Sequence, residues 1–145
     1  MAKNRGYAKL HPMAKVLIVD DSLFIRMSLK KILEDAGHTV VGMAPNGAEA
    51  MRLYLELKPD IVTLDIVMEG EKTEQKGPDA NLDGLVALGN IKNHQASAVV
   101  VMVTSLTDEK TRHRAEELGA TGFLEKPFRP DAVLQAMRGA LAKKL

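Results

Sequence analysis

A short apolar run that ends in a carboxylate constrains the fold of this chain more than any other feature. Residues 61–65 are Ile-Val-Thr-Leu-Asp, and they follow the turn signal Lys58-Pro59-Asp60. A continuous β-branched and aliphatic run of this length is typical of a strand covered on both faces, as in the middle of a parallel sheet. Asp65 then stands at the carboxyl end of the strand, which is the edge where ligands bind in open α/β sheets.

The same pattern recurs along the chain, with helical segments between the apolar runs. The predicted strands cover residues 15–20, 39–44, 61–65, 98–104 and 122–126. The predicted helices follow Ser22, cover residues 50–57, begin at Gly84, cover residues 108–118 and begin at Pro130. Strands that alternate with helices predict a parallel sheet wrapped on both sides, and right-handed crossovers place the carboxyl ends of its strands on one rim.

Periodicity also predicts which helical side chains are buried. The second helix is expected to turn Met51, Tyr54 and Leu55 inward. The last helix is expected to bury Val133, Ala136, Met137, Ala140 and Leu141. Ser22 is expected to cap the first helix, whereas Gly37 and Gly119 supply the signals that end the first and the fourth.

Length and composition fit one domain with a sizeable core. A chain of 145 residues with 46% hydrophobic content needs neither disulfides nor a structural metal to fold, and it contains no cysteine. Residues 14–145 are expected to form the domain, and residues 1–13 a disordered N-terminal extension. Residues 69–82 are polar with almost nothing to bury, which predicts an inserted loop.

Charge and hydropathy suggest a cytoplasmic protein. Lys3, Arg5, Lys9 and Lys15 give the first 15 residues a charge of +4, while the whole chain carries only +1. This basic segment is small and the remainder is mildly acidic, so neither nucleic acid nor a membrane is expected as a partner. No apolar run approaches the ~18 residues of a membrane span, and the N-terminus lacks the apolar core of a signal peptide.

Polar residues gather at the predicted rim. The first strand ends in Asp20-Asp21, the third in Asp65, the fourth in Thr104 and the fifth in Lys126. Three neighbouring carboxylates repel one another unless they take up protons or share a cation. Mg²⁺ prefers such oxygen ligands, whereas zinc would favour histidine or cysteine.

A magnesium site beside a further carboxylate and a lysine is suited to binding phosphoryl oxygens. Phosphoryl transfer asks a protein mainly to position groups and to neutralise charge. Asp65 is the candidate nucleophile, which would form an acyl phosphate. Lys126 would balance the charge of the incoming group, and the Thr104 hydroxyl would donate a hydrogen bond to one of its oxygens.

Five motifs together resemble the receiver domain of two-component response regulators, over about residues 14–145. They are Asp20-Asp21, Leu64-Asp65-Ile66-Val67-Met68, Asp83-Gly84-Leu85, Thr104-Ser105 and Glu125-Lys126-Pro127-Phe128. With no output domain following, the chain is most similar to stand-alone receivers of the chemotaxis type. The resemblance implies a flavodoxin-like sheet of order 2-1-3-4-5.

The resemblance also implies roles for single residues. Asp65 would accept the phosphoryl group from a histidine kinase. Asp21, Asp65 and the backbone carbonyl of Val67 would bind Mg²⁺, with Asp20 assisting through water. Lys126 would contact the phosphate, next to a cis peptide bond to Pro127.

A switch is implied as well. Thr104 would move toward the phosphate and the ring of Phe123 would follow it inward. This movement would rearrange the surface of the fourth helix, fifth strand and fifth helix, where partners dock.

The sequence departs from the family pattern in two places. About eleven additional residues precede Asp83, where a tolerated surface insertion competes with a loop that covers Asp65 or selects partners. Val67 and Leu106, each two residues after a site residue, are apolar. We therefore expect slow self-dephosphorylation, because neither side chain can orient a water.

Several functions remain open at this level. The leading one is a signalling module that transfers phosphoryl groups only onto and off itself, acting on a flagellar switch, with a phosphatase as an additional partner. A phosphorelay intermediate would instead pass its phosphoryl group to a histidine phosphotransfer protein. An aspartyl-phosphate phosphohydrolase normally needs a second acid where Val67 stands. A receiver-like scaffold that no longer uses phosphate and a flavin-binding protein fit less well, given the intact acid set and the lack of a phosphate loop after the first strand.

Overall fold

The computed structural model describes residues 13–68, 83–105 and 108–143. Within these ranges five strands alternate with five helices. The strands are β1 (Lys15–Val19), β2 (Thr39–Ala44), β3 (Ile61–Asp65), β4 (Val100–Thr104) and β5 (Gly122–Glu125). The helices are α1 (Leu23–Asp35), α2 (Gly47–Leu57), α3 (Asp83–His94), α4 (Glu109–Glu117) and α5 (Pro130–Ala142).

The strands form one parallel sheet in the order β2-β1-β3-β4-β5. This confirms the predicted flavodoxin-like α/β fold. Every residue of the central strand β3 is buried, as its unbroken apolar sequence indicates. Because the strands are parallel, their carboxyl ends share one rim.

Helices cover both faces of the sheet. Buried side chains of α2, α3 and α4 pack on one face, against Leu17, Val62 and Leu64 among others. Buried side chains of α1 and α5 pack on the opposite face, together with alternate residues of β1, β3 and β4. The sheet is therefore covered by an apolar layer on each face.

Local signals set most helix boundaries. The Ser22 hydroxyl caps α1 by accepting the Ile25 N–H at 3.3 Å, and Pro130 begins α5 as predicted. Gly37 and Gly119 follow α1 and α4 with φ angles of +98° and +99°, a conformation that favours glycine.

Several details differ from the prediction, among them the burial of Ala136, which is half-buried on α5 rather than buried. The second helix begins at Gly47 rather than at Ala50, because the Asn46 side chain accepts the Glu49 N–H at 2.9 Å and caps the helix earlier. The fourth strand begins at Val100 rather than at residue 98. Leu55 is 46% exposed, so it lies at the edge of the apolar stripe and not within it.

The predicted N-terminal extension and the predicted loop at 69–82 lie outside the described residues, apart from Met13. Among the helices that are described, none combines the length and the apolar character needed to cross a membrane.

Candidate functional site

The rim brings together three carboxylates from two strand ends. Asp20 and Asp21 follow β1, and Asp65 ends β3, which pairs with β1 in the sheet. One oxygen of each carboxylate lies within 4.8 Å of the others. Asp20 and Asp65 are buried, whereas Asp21 is exposed. The cluster is thus closed on the protein side and open on the Asp21 side.

The ammonium of Lys126 reaches this cluster from β5. Its Nζ lies 2.8 Å from Asp20 Oδ2 and 3.3 Å from Asp65 Oδ2. The Lys126 backbone N–H donates to the carbonyl of Thr104 at 2.9 Å, and the peptide bond between Lys126 and Pro127 is cis, as the resemblance implies. One cation therefore bridges two of the three acids.

Asp20 is held at every polar atom by a different partner. Its backbone N–H donates to the Ala44 carbonyl at 3.0 Å, and its Oδ1 accepts the Ser22 N–H at 2.9 Å. Its carbonyl accepts from Arg26 Nη1 at 2.6 Å. Sequence reasoning missed Arg26, because a polar residue on an amphipathic helix gives no sign of reaching back to the loop before it.

The electrostatics of the site follow from burial and crowding. Burial and the neighbouring charge of Asp20 raise the pKa of Asp65 to about 6, although Lys126 works in the opposite direction. Burial acts to lower the pKa of Lys126, but the hydrogen bond to Asp20 and the charges of Asp65 and Asp20 outweigh it and raise that pKa. The lysine therefore stays charged, while Asp65 titrates close to neutrality.

Helix α3 begins directly behind Asp65. A Cβ on Gly84 would overlap the carbonyl oxygen of Asp65 and come within 2.6 Å of Ile66 Cα. The Gly84 N–H donates to the Ile66 carbonyl at 2.9 Å, and Asp83 Oδ2 accepts the Gly47 N–H at 3.0 Å. The motif Asp83-Gly84 thus supports the site by close backbone packing, a role that sequence reasoning did not assign.

Thr104 and Phe123 lie on neighbouring strands. Thr104 is buried at the end of β4, and Phe123 is half-buried on β5. The guanidinium carbon of Arg112 lies 4.6 Å from the centre of the Phe123 ring. A cavity of about 170 Å³ is lined by Arg112 and Phe123 and by Ile66, Thr104, Thr111, Leu124 and Glu125.

Val67 follows β3 with a side chain that is 39% exposed. Leu106 lies outside the described residues. His94 and His113 are exposed, and His113 Nε2 lies 2.9 Å from Glu117 Oε1.

The donor set of the cluster suits a hard divalent cation. Asp20, Asp21 and Asp65 offer only carboxylate oxygens, and the open side at Asp21 leaves room for water ligands. Mg²⁺ is usually bound in this way, by a few carboxylates and several waters. The residues present therefore fit the ion that the sequence predicted.

Comparisons with known proteins agree with this geometry. Residues 16–138 match the family model described as response regulator receiver domain. The chain is 41% identical over 128 residues to the chemotaxis protein CheY of Listeria monocytogenes, a match that covers 88% of this chain and 98% of that protein. It is 39% identical over 127 residues to the chemotaxis protein CheY of Bacillus subtilis, covering 88% and 97%.

A solved structure is similar over nearly its whole length. A chain in the crystal structure of the CheX-CheY-BeF3-Mg+2 complex from Borrelia burgdorferi has a TM-score of 0.76 and 34% identity, covering 92% of this chain and 94% of that one. The sheet order, the acidic rim and these matches lead to one conclusion. The chain belongs to the family of response regulator receiver domains and is CheY-like.

Proposed function

We propose that this chain is a signalling domain that a histidine kinase switches by phosphorylating Asp65. The observation that carries the proposal is the position of the Asp65 carboxylate. It is buried, yet its Oδ2 lies 3.3 Å from the Lys126 ammonium, and one of its two oxygens lies within 4.8 Å of oxygens of Asp20 and Asp21. This arrangement gives a nucleophile, a cation for the phosphoryl oxygens and a donor set for Mg²⁺ in one place.

The proposed reaction is a transfer between two side chains. An Asp65 oxygen attacks the phosphorus of a phosphohistidine, the O–P bond forms, and the N–P bond breaks with its electrons returning to the imidazole. Because the pKa of Asp65 is about 6, the carboxylate is already ionised at neutral pH and needs no base. Lys126 donates from Nζ to the developing charge on the phosphoryl oxygens.

Asp21, Asp65 and the carbonyl of Val67 are the proposed direct ligands of Mg²⁺, and Asp20 would act through water. The bound ion would neutralise charge on the phosphoryl oxygens. Asp20 already accepts hydrogen bonds at both carboxylate oxygens, from Ser22 and from Lys126. This occupancy supports an indirect role for Asp20 and a direct one for the more exposed Asp21.

A mass measurement tests the acceptor. The chain is incubated with Mg²⁺ and acetyl phosphate, and we expect the intact mass to rise by one phosphoryl group. Asp65→Asn should abolish the increase, because the amide cannot form the acyl phosphate. Asp35→Asn, an exposed carboxylate on α1, serves as the matched control and should be phosphorylated normally. Label on any other residue would contradict the proposal.

The lifetime of the phosphorylated form is a second expectation. Val67 is apolar and exposed beside Asp65, so it offers no polar group to orient an attacking water. We expect the acyl phosphate to persist well beyond seconds without a phosphatase, and Val67→Asn to shorten its lifetime. A wild-type lifetime of only seconds would refute this role.

For the downstream partner we favour a component of a flagellar switch. The relatives named chemotaxis protein CheY support this choice, since they match the chain over almost their full length. Binding to such a component that requires phosphorylation would support it. Efficient transfer from phosphorylated Asp65 to a histidine phosphotransfer protein would indicate a phosphorelay intermediate instead.

A further inference from the structure

Arg112 lies over a ring that belongs to the proposed switch. The 4.6 Å between its guanidinium carbon and the centre of the Phe123 ring is within the range of attractive cation–π contacts. Arg112 is on α4 with a side chain that is 63% exposed, and its Nε lies 3.4 Å from Glu116 Oε1. The contact therefore joins α4 to β5 on the face where partners are expected to dock.

A pocket next to the Phe123 ring offers the ring a second position. The cavity of about 170 Å³ is lined by Phe123 itself and extends to Thr104 and Ile66. A cavity of about 150 Å³ is known to hold a benzene molecule. The pocket that Phe123, Thr104 and Arg112 help to line is therefore large enough to receive a phenyl ring.

The chemistry of phenylalanine makes the contact with Arg112 important. Phe123 has no hydroxyl, so no side-chain hydrogen bond can hold its ring in either place. The balance between the two places depends on packing and on what touches the ring face. A cation–π contact at an exposed site corresponds to roughly a two- to fivefold change in an equilibrium constant.

We propose that Arg112 is a positioning residue of the switch, whose guanidinium holds the Phe123 ring at the surface until Asp65 is phosphorylated. The inference rests on the proposed function together with the switch that the family resemblance implies, in which Thr104 and Phe123 move toward the phosphorylated site. Inward movement of the ring then breaks the contact with Arg112. By linkage, whatever holds the ring at the surface also weakens the binding of a phosphoryl group or its mimic.

The ring position can be measured directly. The chain contains three phenylalanines, so the signals of the Phe123 ring can be assigned by NMR. In the unphosphorylated full chain, Arg112→Gln should raise the population with the ring next to the Thr104 methyl group roughly two- to fivefold. Arg112→Lys keeps the positive charge and should remain close to wild type.

Affinity for a phosphoryl mimic gives the second readout. We expect Arg112→Gln to strengthen binding of beryllium fluoride with Mg²⁺ by the same two- to fivefold factor. Arg114→Gln removes a cation of the same helix that pairs with Glu117 at 3.6 Å, and it should change neither readout. Glu116→Gln removes the ion-pair partner of Arg112 but leaves the guanidinium, so the ring should stay at the surface.

The outcomes separate the two hypotheses. If the ring population and the mimic affinity of Arg112→Gln match those of Arg114→Gln, the role of Arg112 is overturned. Failure of the wild-type chain to bind beryllium fluoride would contradict the proposed function. The ring population in the absence of the mimic would then still decide whether Arg112 positions Phe123.

Discussion

At the scale of single residues, Asp65 combines two opposing requirements. Its burial disfavours a charge, yet a phosphoryl acceptor reacts as the carboxylate. Lys126, with its Nζ at 3.3 Å, offsets part of the burial cost, and the resulting pKa of about 6 leaves the group mostly ionised at pH 7. Lys126 therefore helps to keep the proposed nucleophile in its ionised, reactive form.

This pKa predicts a pH-dependent stability in metal-free buffer. The pKa of Asp65 is about 6 in the folded chain against an ordinary value of 3.8, so between these values the folded state holds a proton that the unfolded state has lost. Stability from this group thus falls as pH rises through that window. At pH 7.5 with EDTA, Asp65→Asn should be more stable than wild type by on the order of 2 kcal/mol.

Urea unfolding between pH 7.5 and pH 4.5 checks this expectation. The stability gap between Asp65→Asn and wild type should narrow as pH falls, because wild-type Asp65 becomes protonated and resembles the amide. Asp35→Asn, at an exposed position, should show no such narrowing. A gap that stays constant over the range would contradict the effect of burial on Asp65.

Thr63 offers a second prediction at this scale. Its hydroxyl is fully buried in β3 and makes no hydrogen bond within the part of the chain that the structure describes. A buried polar group without a partner costs free energy, and valine has the same shape. Thr63→Val should raise the free energy of unfolding by about 1 kcal/mol in urea titrations.

The matched control for Thr63 is another buried threonine. The Thr111 hydroxyl donates to Asp108 Oδ2 at 3.2 Å, next to the start of α4. Thr111→Val should lower the free energy of unfolding by about 1 kcal/mol, because it removes a hydrogen bond that is made. Equal effects of the two substitutions would argue against the lack of a partner for Thr63.

At the scale of elements, the approach of α3 to β3 shapes the back of the site. Gly84 allows the first turn of α3 to touch the backbone that follows Asp65. Gly89 lies farther along the same helix, where an added Cβ would meet only Leu118 Cδ2, at 3.8 Å. The structure therefore requires a glycine at position 84 but not at position 89.

The pair predicts opposite outcomes for the same substitution. Gly84→Ala should destabilise the fold by about 3 kcal/mol, since backbone atoms must move to make room. Gly89→Ala should stabilise by up to about 1 kcal/mol through helix propensity. Thermal unfolding of both variants measures this, and an unaffected Gly84→Ala would show that α3 does not need the close approach.

Element type could be predicted from the sequence more reliably than element detail. Apolar runs, helical periodicity and the residues that cap or end helices identified all ten elements, because each signal is local. The early start of α2 depends on the Asn46 side chain turning toward Glu49, and the exposure of Leu55 depends on how far that helix is rotated. Rotation is decided by packing against other elements, which periodicity alone does not contain.

At the scale of the whole molecule, parallel strands gather distant residues at one rim. This convergence could be anticipated, because crossover handedness places every strand end on the same side. The contacts of Arg26 with Asp20 and of Arg112 with Phe123 could not. They join side chains of helices to neighbouring loops and strands, so they depend on rotamers and helix rotation.

The three carboxylates at the rim predict that magnesium raises the stability of the folded chain. An ion that binds only the folded state, at a concentration one hundred times its Kd, stabilises that state by about 2.7 kcal/mol. For a chain of this size, the Tm should rise by roughly 5–10 °C. Thermal scans with MgCl₂ and with EDTA provide the measurement.

Asp21 supplies the variant for this test. Its side chain is exposed, so Asp21→Asn should leave the metal-free Tm nearly unchanged while it reduces the shift with magnesium. Asp60→Asn, at the opposite end of β3, should retain the full shift. A magnesium-dependent shift that is undiminished in Asp21→Asn would contradict Asp21 as a direct ligand of the ion.

The hydrogen bond between Gly84 and Ile66 has a practical consequence for protein engineering. This bond, with 2.9 Å between donor and acceptor, joins the residue that follows β3 to the first turn of α3. The two ends of the segment between them are therefore held together. Each doubling of the length of a loop whose ends are held together raises the free energy of closing it by only about 0.6 kcal/mol. A fluorescent tag or an affinity peptide inserted between Ile66 and Gly84 would therefore be attached close to Asp65 and would add little strain to the sheet.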